Sequence, residues 1–283
     1  MTILNENILC HKPVVSLDTI SGDYEYITEE EMLLVQSYVK DHTASVGDRP
    51  NQEQWTDAWG ELLEAEAPAY LANPRFMLGE NGVFRFNQNF IKSPDLQLEH
   101  KYHRAVIDAV QNKFFDDVKC VVEFGCGSGH NLVQIVKNNS QVDVFGSDWA
   151  TSSQKILDSK GICGFYFDMK SKEPEYPPEL EQMKEVAFLT VGSLEQLGRD
   201  WENFLAFMIK MKPKKSIHIE PIVEFYDPSN EIDALAINYH HKRGYLEGFY
   251  LAAKSLGLLR YHNRPTFGNT FNEGFNILEL QYE

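Results

Sequence analysis

The 283-residue sequence contains no run of about 18 apolar residues, so a helix built to cross a bilayer is not expected. Its first residues lack a basic segment followed by an apolar one; a secretory leader is therefore not expected, and a cytoplasmic protein without membrane association is. Cysteine is scarce. Cys10, Cys120, Cys126 and Cys163 form no C-x-x-C pair, which argues against a zinc module, and disulfides are not expected in a reducing compartment. Internal repeats and low-complexity tracts are missing as well. Basic residues are outnumbered, 26 Lys+Arg against 42 Asp+Glu, for a formal net charge of −16. The imbalance is strongest in residues 1–100, with 17 acidic and 6 basic side chains. Such a surface repels phosphate backbones, so a small molecule, including a cationic one, is the expected partner and nucleic acid is not. With 43% hydrophobic and 24% charged residues, the composition is that of a folded globular chain, and wholesale disorder is excluded.

The chain reads as two regions. Residues 1–117 are expected to form a mainly helical extension. Thr28-Glu29-Glu30-Glu31 is a capping box ahead of Met32, Leu33, Leu34, Val35, Tyr38 and Val39. A second short helix is expected to carry Trp55, Trp59, Leu62 and Leu63, and Ser93-Pro94 to open a long amphipathic one with Pro94 at its first position. Between them, Gly82-Val83-Phe84-Arg85-Phe86-Asn87-Gln88-Asn89-Phe90 alternates well enough for a short strand or an extended loop.

From residue 118 to 283, short apolar strands alternate with helices. Strands are expected at 120–124, 142–147, 164–167, 186–190 and 216–220, and helices near 130–138, 151–160, 199–211 and 229–256. This pattern predicts an α/β, doubly wound and mostly parallel seven-stranded sheet covered on both faces. The last two strands, near 258–263 and 275–282, have no helix between them and predict an antiparallel hairpin at one edge.

The segment that carries chemistry is Glu123-Phe124-Gly125-Cys126-Gly127-Ser128-Gly129-His130. An apolar strand runs into three glycines spaced by two, just before a helix start. Glycines allow positive φ and close approach of a ligand, and the helix start offers free N–H groups. The dinucleotide fingerprint G-x-G-x-x-G would put glycine where this chain has His130. A second strand ends in Asp148, 19 residues beyond Gly129, where a carboxylate can accept two hydrogen bonds from a ribose diol or cap the next helix.

The acidic-x-G-x-G-x-G pattern resembles the first motif of class I S-adenosylmethionine (SAM)-dependent methyltransferases of the small-molecule type. That resemblance implies a turn wrapping the methionine portion of SAM, formed by Gly125, Cys126, Gly127 and Gly129, with Glu123 holding the loop and the cofactor amine. It also implies Asp148 on the ribose, and Asp168 and Met169 at the adenine, with Trp149 packing on its other side. The stretch Thr190-Val191-Gly192-Ser193-Leu194-Glu195-Gln196 is similar to the T-x-x-S-L-E-[QH] sequence at the fourth strand end of that family, which faces both sulfonium and acceptor. SAM is thus the expected cofactor, with Thr190 among its contacts.

The expected activity is methyl transfer to an O or N atom of a small polar molecule, such as a sugar, a nucleotide-linked sugar or another biosynthetic metabolite. The open alternatives are a non-catalytic SAM-binding or partner-binding protein and an NAD(P)-dependent oxidoreductase. Candidates for a base are Glu195, Glu220, His240 and His241, with both histidines expected on polar, solvated flanks of their helix. No metal site is expected, because Thr190 stands where a metal-binding Asp would be required. Arg85, Asn87 and Asn89, set among Phe84, Phe86 and Phe90, are candidates for binding the acceptor.

Overall fold

A computed structural model describes residues 13–20, 23–64 and 82–282; Cys10 lies outside these. In the second region, five strands run parallel: β4 (Cys120–Phe124), β5 (Asp143–Asp148), β6 (Cys163–Tyr166), β7 (Val186–Val191) and β8 (Lys215–Glu220). Two more, β9 (Leu259–Asn263) and β11 (Asn276–Leu280), complete one seven-stranded sheet in the order β6-β5-β4-β7-β8-β11-β9. Strand β11 runs antiparallel to both neighbours and sits between β8 and β9, so the C-terminal hairpin closes one edge. This is the doubly wound architecture with an antiparallel edge that the sequence pattern predicts.

Alternation along each strand fills two cores. Val121, Leu189, Ile217 and Ile277 join one apolar cluster, which includes α3 (Leu98–Phe114), α4 (His130–Asn138) and α5 (Thr151–Ser159). Their neighbours Val122, Phe188 and Leu278 point the other way, toward α6 (Glu202–Met211) and α8 (Phe249–Ser255). Side chains of opposite parity face opposite sides of a pleated strand, so strands apolar at every position demand cover on both faces. Each crossover returns the chain to the same end of the parallel strands, which leaves the C-terminal ends of β4, β5 and β7 together over one crevice.

Among the described residues the first region is built mainly on three helices, as expected, with strands at its aromatic stretch. α1 (Glu29–Ser45) begins at the anticipated capping box: Thr28 accepts from the Glu31 N–H, and the Glu31 side chain accepts from the Thr28 N–H. Of its proposed apolar stripe, Val39 is buried while Leu33 and Leu34 are exposed. α2 (Gln52–Glu64) follows. The aromatic stretch proves to be a hairpin, β2 (Val83–Phe86) and β3 (Asn89–Lys92), turning on Asn87 and Gln88, both with positive φ. Two successive positive φ values match the right-handed twist of the flanking strands. β1 (Glu25–Tyr26) and β10 (Phe267–Gly268) extend the hairpin into a second sheet, β1-β3-β2-β10, so a piece of the C-terminal region pairs with the extension.

Two helix boundaries differ from expectation. α3 starts at Leu98, so Pro94 lies outside it: Ser93 Oγ takes the Asp95 N–H and Asp95 Oδ1 takes the Gln97 N–H, holding a turn before the helix. The single helix expected over 229–256 is two, α7 (Glu231–Arg243) and α8, because Gly244 takes φ +63° and ends the first. A left-handed residue at that position satisfies the last carbonyls of a helix and turns the chain.

Candidate active site

A cavity of about 440 Å³ lies over the C-terminal ends of β4, β5 and β7. Its floor is the turn after β4. Gly127 has φ +52°, and a Cβ built there would come within 2.3 Å of the Trp59 ring, so only glycine fits beneath α2. Gly125 abuts Ser193, whose Oγ donates to the Phe124 carbonyl at 2.8 Å. Gly129 abuts Leu157 and stands at the N-terminal end of α4.

Acidic groups dominate this floor. Asp148, at the end of β5, accepts the Gly127 N–H at its Oδ2 (2.8 Å) and the Ala150 N–H at its Oδ1 (2.8 Å). Burial outweighs those bonds and pushes the carboxyl up to about 6. Glu123 is 1% exposed; its Oε1 accepts from Asn131 Nδ2 at 2.7 Å, and Asn131 Oδ1 in turn meets His103 Nε2 at 2.8 Å. Its other oxygen, Oε2, is buried without a partner, and burial raises this carboxyl to about 8. An orphaned buried oxygen is costly, which marks the place where a donor from outside the chain would be welcomed.

Several other proposed site residues line the same cavity. Cys126, Trp149, Asp168 and Met169 do so beside Gly125, Glu123 and Asp148. Asp168 Oδ1 accepts the Lys170 N–H at 2.8 Å, and Lys170 Nζ stands 5.7 Å from the Trp149 ring centre. Glu195 lines it from the segment after β7, bonded by Gln196 Nε2 at 2.8 Å, with its carboxyl raised to about 8 by burial and then by the charge of Glu220.

Other candidates are placed elsewhere. Gly127 and Gly129 shape the turn from beneath Trp59 and Leu157 rather than lining the space. Thr190 is buried in the sheet against His218 Nδ1 at 2.9 Å; Val191, Gly192 and Ser193 line the cavity from that strand end instead. Glu220 sits behind the segment that carries Glu195 and accepts the N–H groups of Ser193, Leu194 and Glu195. It braces that segment from outside the cavity. His241 is exposed as expected, but His240 is buried, its Nε2 donating to the Leu246 carbonyl at 2.6 Å, so it is not on a solvated flank.

The three proposed acceptor-binding residues are not brought to the cavity either. Arg85 is 1% exposed and donates to the Ile232 carbonyl and to Asp233 Oδ1. Asn87 Oδ1 accepts from Thr266 Oγ1, and Asn89 Oδ1 accepts the Phe90 N–H. All three hold the hairpin.

The residues of the roof were not among the site candidates. Trp55 and Trp59 stack at 5.9 Å on α2, both facing the cavity. Gln52 Nε2 donates to the Trp149 carbonyl and Ser152 Oγ to the Thr56 carbonyl, which fixes α2 over α5. The i, i+4 spacing of two tryptophans was the available signal. Farther out, the lining includes Tyr38 and His42 from α1, Tyr239 from α7 and Phe271 from the loop before β11.

No family model matches the chain, and no curated protein does. Among solved structures it is similar to human N-acetylserotonin methyltransferase in complex with SAM, at 11% identity over 88% of this chain and 67% of that one, with a TM-score of 0.48. An O-methyltransferase family protein from Burkholderia thailandensis is similar at 13% identity, over 88% and 70% of the two chains, with a TM-score of 0.44. Magnesium protoporphyrin IX methyltransferase from Synechocystis, solved with S-adenosylhomocysteine (SAH), is similar at 15% identity over 64% and 84%, with a TM-score of 0.43.

Proposed function

We propose that this protein binds SAM in the crevice above β4, β5 and β7 and transfers its methyl group to an O or N atom of a small polar molecule. The observation that carries the reading is the buried, unpartnered Oε2 of Glu123, set in the same cavity as Asp148 and the glycine turn. Glu123 suits the ammonium group, Asp148 the ribose hydroxyls, and the main chain at Gly125 and Cys126 the sulfonium-bearing chain. Asp168 and Met169 suit the adenine, with Trp149 near it.

Charge separates this cofactor from a dinucleotide. Glu123, Asp148, Asp168 and Glu195 all line the cavity, against Lys170 and Arg243 as its lysine and arginine. Two phosphates in that space would face carboxylates, while a sulfonium and an ammonium are attracted to them. When bound, SAM supplies a methyl group activated by positively charged sulfur. The residues of this chain bind and orient it, and the tryptophan roof excludes water from the crevice. Glu195 is the group placed to hold a proton from the acceptor. Helix α2 supplies that roof and α1 part of the acceptor wall, while the strand ends of the second region supply the cofactor floor.

The test is a thermal-shift titration with SAM and, separately, NADH, followed by transfer of labelled methyl from SAM to a metabolite panel. Stabilisation by SAM alone with label in a product supports the reading. Stabilisation by NADH alone overturns it, and SAM binding without turnover on any acceptor favours a non-catalytic SAM-binding protein.

A further inference from the structure

The outer half of the cavity is walled by side chains that the cofactor reading leaves unused. The Phe271 ring lies on His42 at 4.3 Å with 26° between planes, and on Tyr239 at 5.0 Å with 24°. Tyr38 adds a fourth ring, 5.9 Å from Phe271. These four come from α1, α7 and the loop before β11, yet none is fully buried, and Tyr38 is 36% exposed. A stack assembled from three distant segments and left open to a cavity forms an aromatic wall.

A polar corner adjoins this wall. Glu195 interacts there with Arg243, and its charge reaches the hydroxyls of Tyr239 and Tyr245. Arg243 lies over the Tyr245 ring at 5.4 Å and donates through Nη1 to the carbonyls of Gly47 and Asp48, which holds it in place. Gln196 Oε1 is buried without a partner beside the carboxyl. Glu195 lies two residues from Ser193, which packs on Gly125, so the corner joins the cofactor floor to the aromatic wall.

We propose that the outer half of the cavity binds a flat aromatic acceptor and directs a ring hydroxyl at Glu195, which takes its proton. This inference rests on the cofactor reading above. Aromatic faces and edges pack against such a wall with a geometry that puckered saturated rings lack. Arg243 decides the acceptor atom. It repels an ammonium group but stabilises the negative charge that develops on an aryl oxygen losing its proton. A carboxyl held up to about 8 is closer to a phenolic hydroxyl, near 10, than an ordinary glutamate is, and such matching favours general-base transfer. Over the reaction the aryl O–C bond forms as the C–S bond breaks. Sulfur keeps the electron pair, and the hydroxyl proton ends on Glu195 before passing to solvent.

The experiment is calorimetric titration of the SAH-saturated full chain with 2-naphthol and with its saturated counterpart, decahydro-2-naphthol. Wild type is expected to bind the naphthol about tenfold more tightly, and Phe271→Leu and His42→Leu to abolish that preference while leaving SAH affinity unchanged. Those leucines keep the volume apolar, and intact SAH binding reports a folded chain. Glu195→Gln is expected to lose about 100-fold or more of labelled methyl transfer to 2-naphthol. Equal affinity for the flat and saturated rings, no binding of either, or methyl transfer to UDP-glucose in place of aryl hydroxyls would overturn the proposal. Should SAH itself not bind, the cofactor reading fails, and the same titration of the ligand-free chain still decides whether the outer wall selects flat rings.

Discussion

The Asp148 carboxylate and the Gly127 N–H meet at 2.8 Å, tying the end of β5 to the turn after β4. One carboxylate therefore shapes the glycine turn and also belongs to the lining of the cavity. Asp148→Ala is expected to weaken SAM binding by about 1–3 kcal/mol, the usual loss for hydrogen bonds to a charged group. Calorimetric titration checks it, and unchanged affinity would remove Asp148 from the site.

Trp59 makes Gly127 sensitive to a single methyl group. The added Cβ of Gly127→Ala would meet the indole at 2.3 Å and must also hold a positive φ. SAM affinity is expected to fall about tenfold or more, and the double variant with Trp59→Ala to recover part of the loss by removing the clash. Identical affinities for the single and double variants would show that the indole is not the obstacle.

Much of the sheet region was legible because its strands are short apolar runs between glycines and helix starts. Cys120–Phe124 and His130–Asn138 fall on the expected bounds. The break at Gly244 was hidden because apolar spacing continues from Tyr239 through Leu246 and Phe249 to Ala253. The hairpin was hidden because its turn is Asn87-Gln88, without the glycine that usually marks one.

At the site, the residues of the floor were legible and those of the roof were not. Glu123, Asp148 and Asp168 stand at strand ends, where local pattern is informative. His42, Tyr239 and Phe271 come together only through tertiary folding, and no spacing reports that. Arg85 among phenylalanines reads as a pocket residue, but its partner, Asp233, is 148 positions away. Sequence alone does not distinguish a buried ion pair from a ligand contact.

That ion pair gives a stability prediction. Asp233 is fully buried and accepts from Arg85, Arg264 and Gln88. Arg264 also pairs with Glu273 at 2.7 Å, so one network joins the hairpin, α7 and the loop before β11. Asp233→Ala leaves buried Arg85 without its carboxylate and Arg264 with Glu273 alone, and is expected to cost about 3–5 kcal/mol in chemical denaturation. A loss below about 1 kcal/mol would mean that water reaches these groups.

The raised carboxyls predict how pH acts. Burial holds Glu123 and Glu195 up to about 8 and Asp148 up to about 6. A raised acid favours its protonated form in the fold, so its contribution to ligand-free stability is complete below the ordinary carboxylate range and is lost as pH rises through 6 to 8. A cationic ligand favours the ionised form, so binding releases protons and tightens over the same window. The rise in Tm caused by SAM is expected to grow between pH 6 and pH 8. A rise that shrinks over that window would contradict this assignment.

The most direct measurement is a crystal structure of the full chain grown with SAH. SAH is expected along the Gly125–Gly129 turn, its ammonium bonded to Glu123 Oε2 and its ribose hydroxyls to Asp148. SAH bound at another surface, or a turn still sealed by Trp59 with no ligand in the crevice, would contradict it.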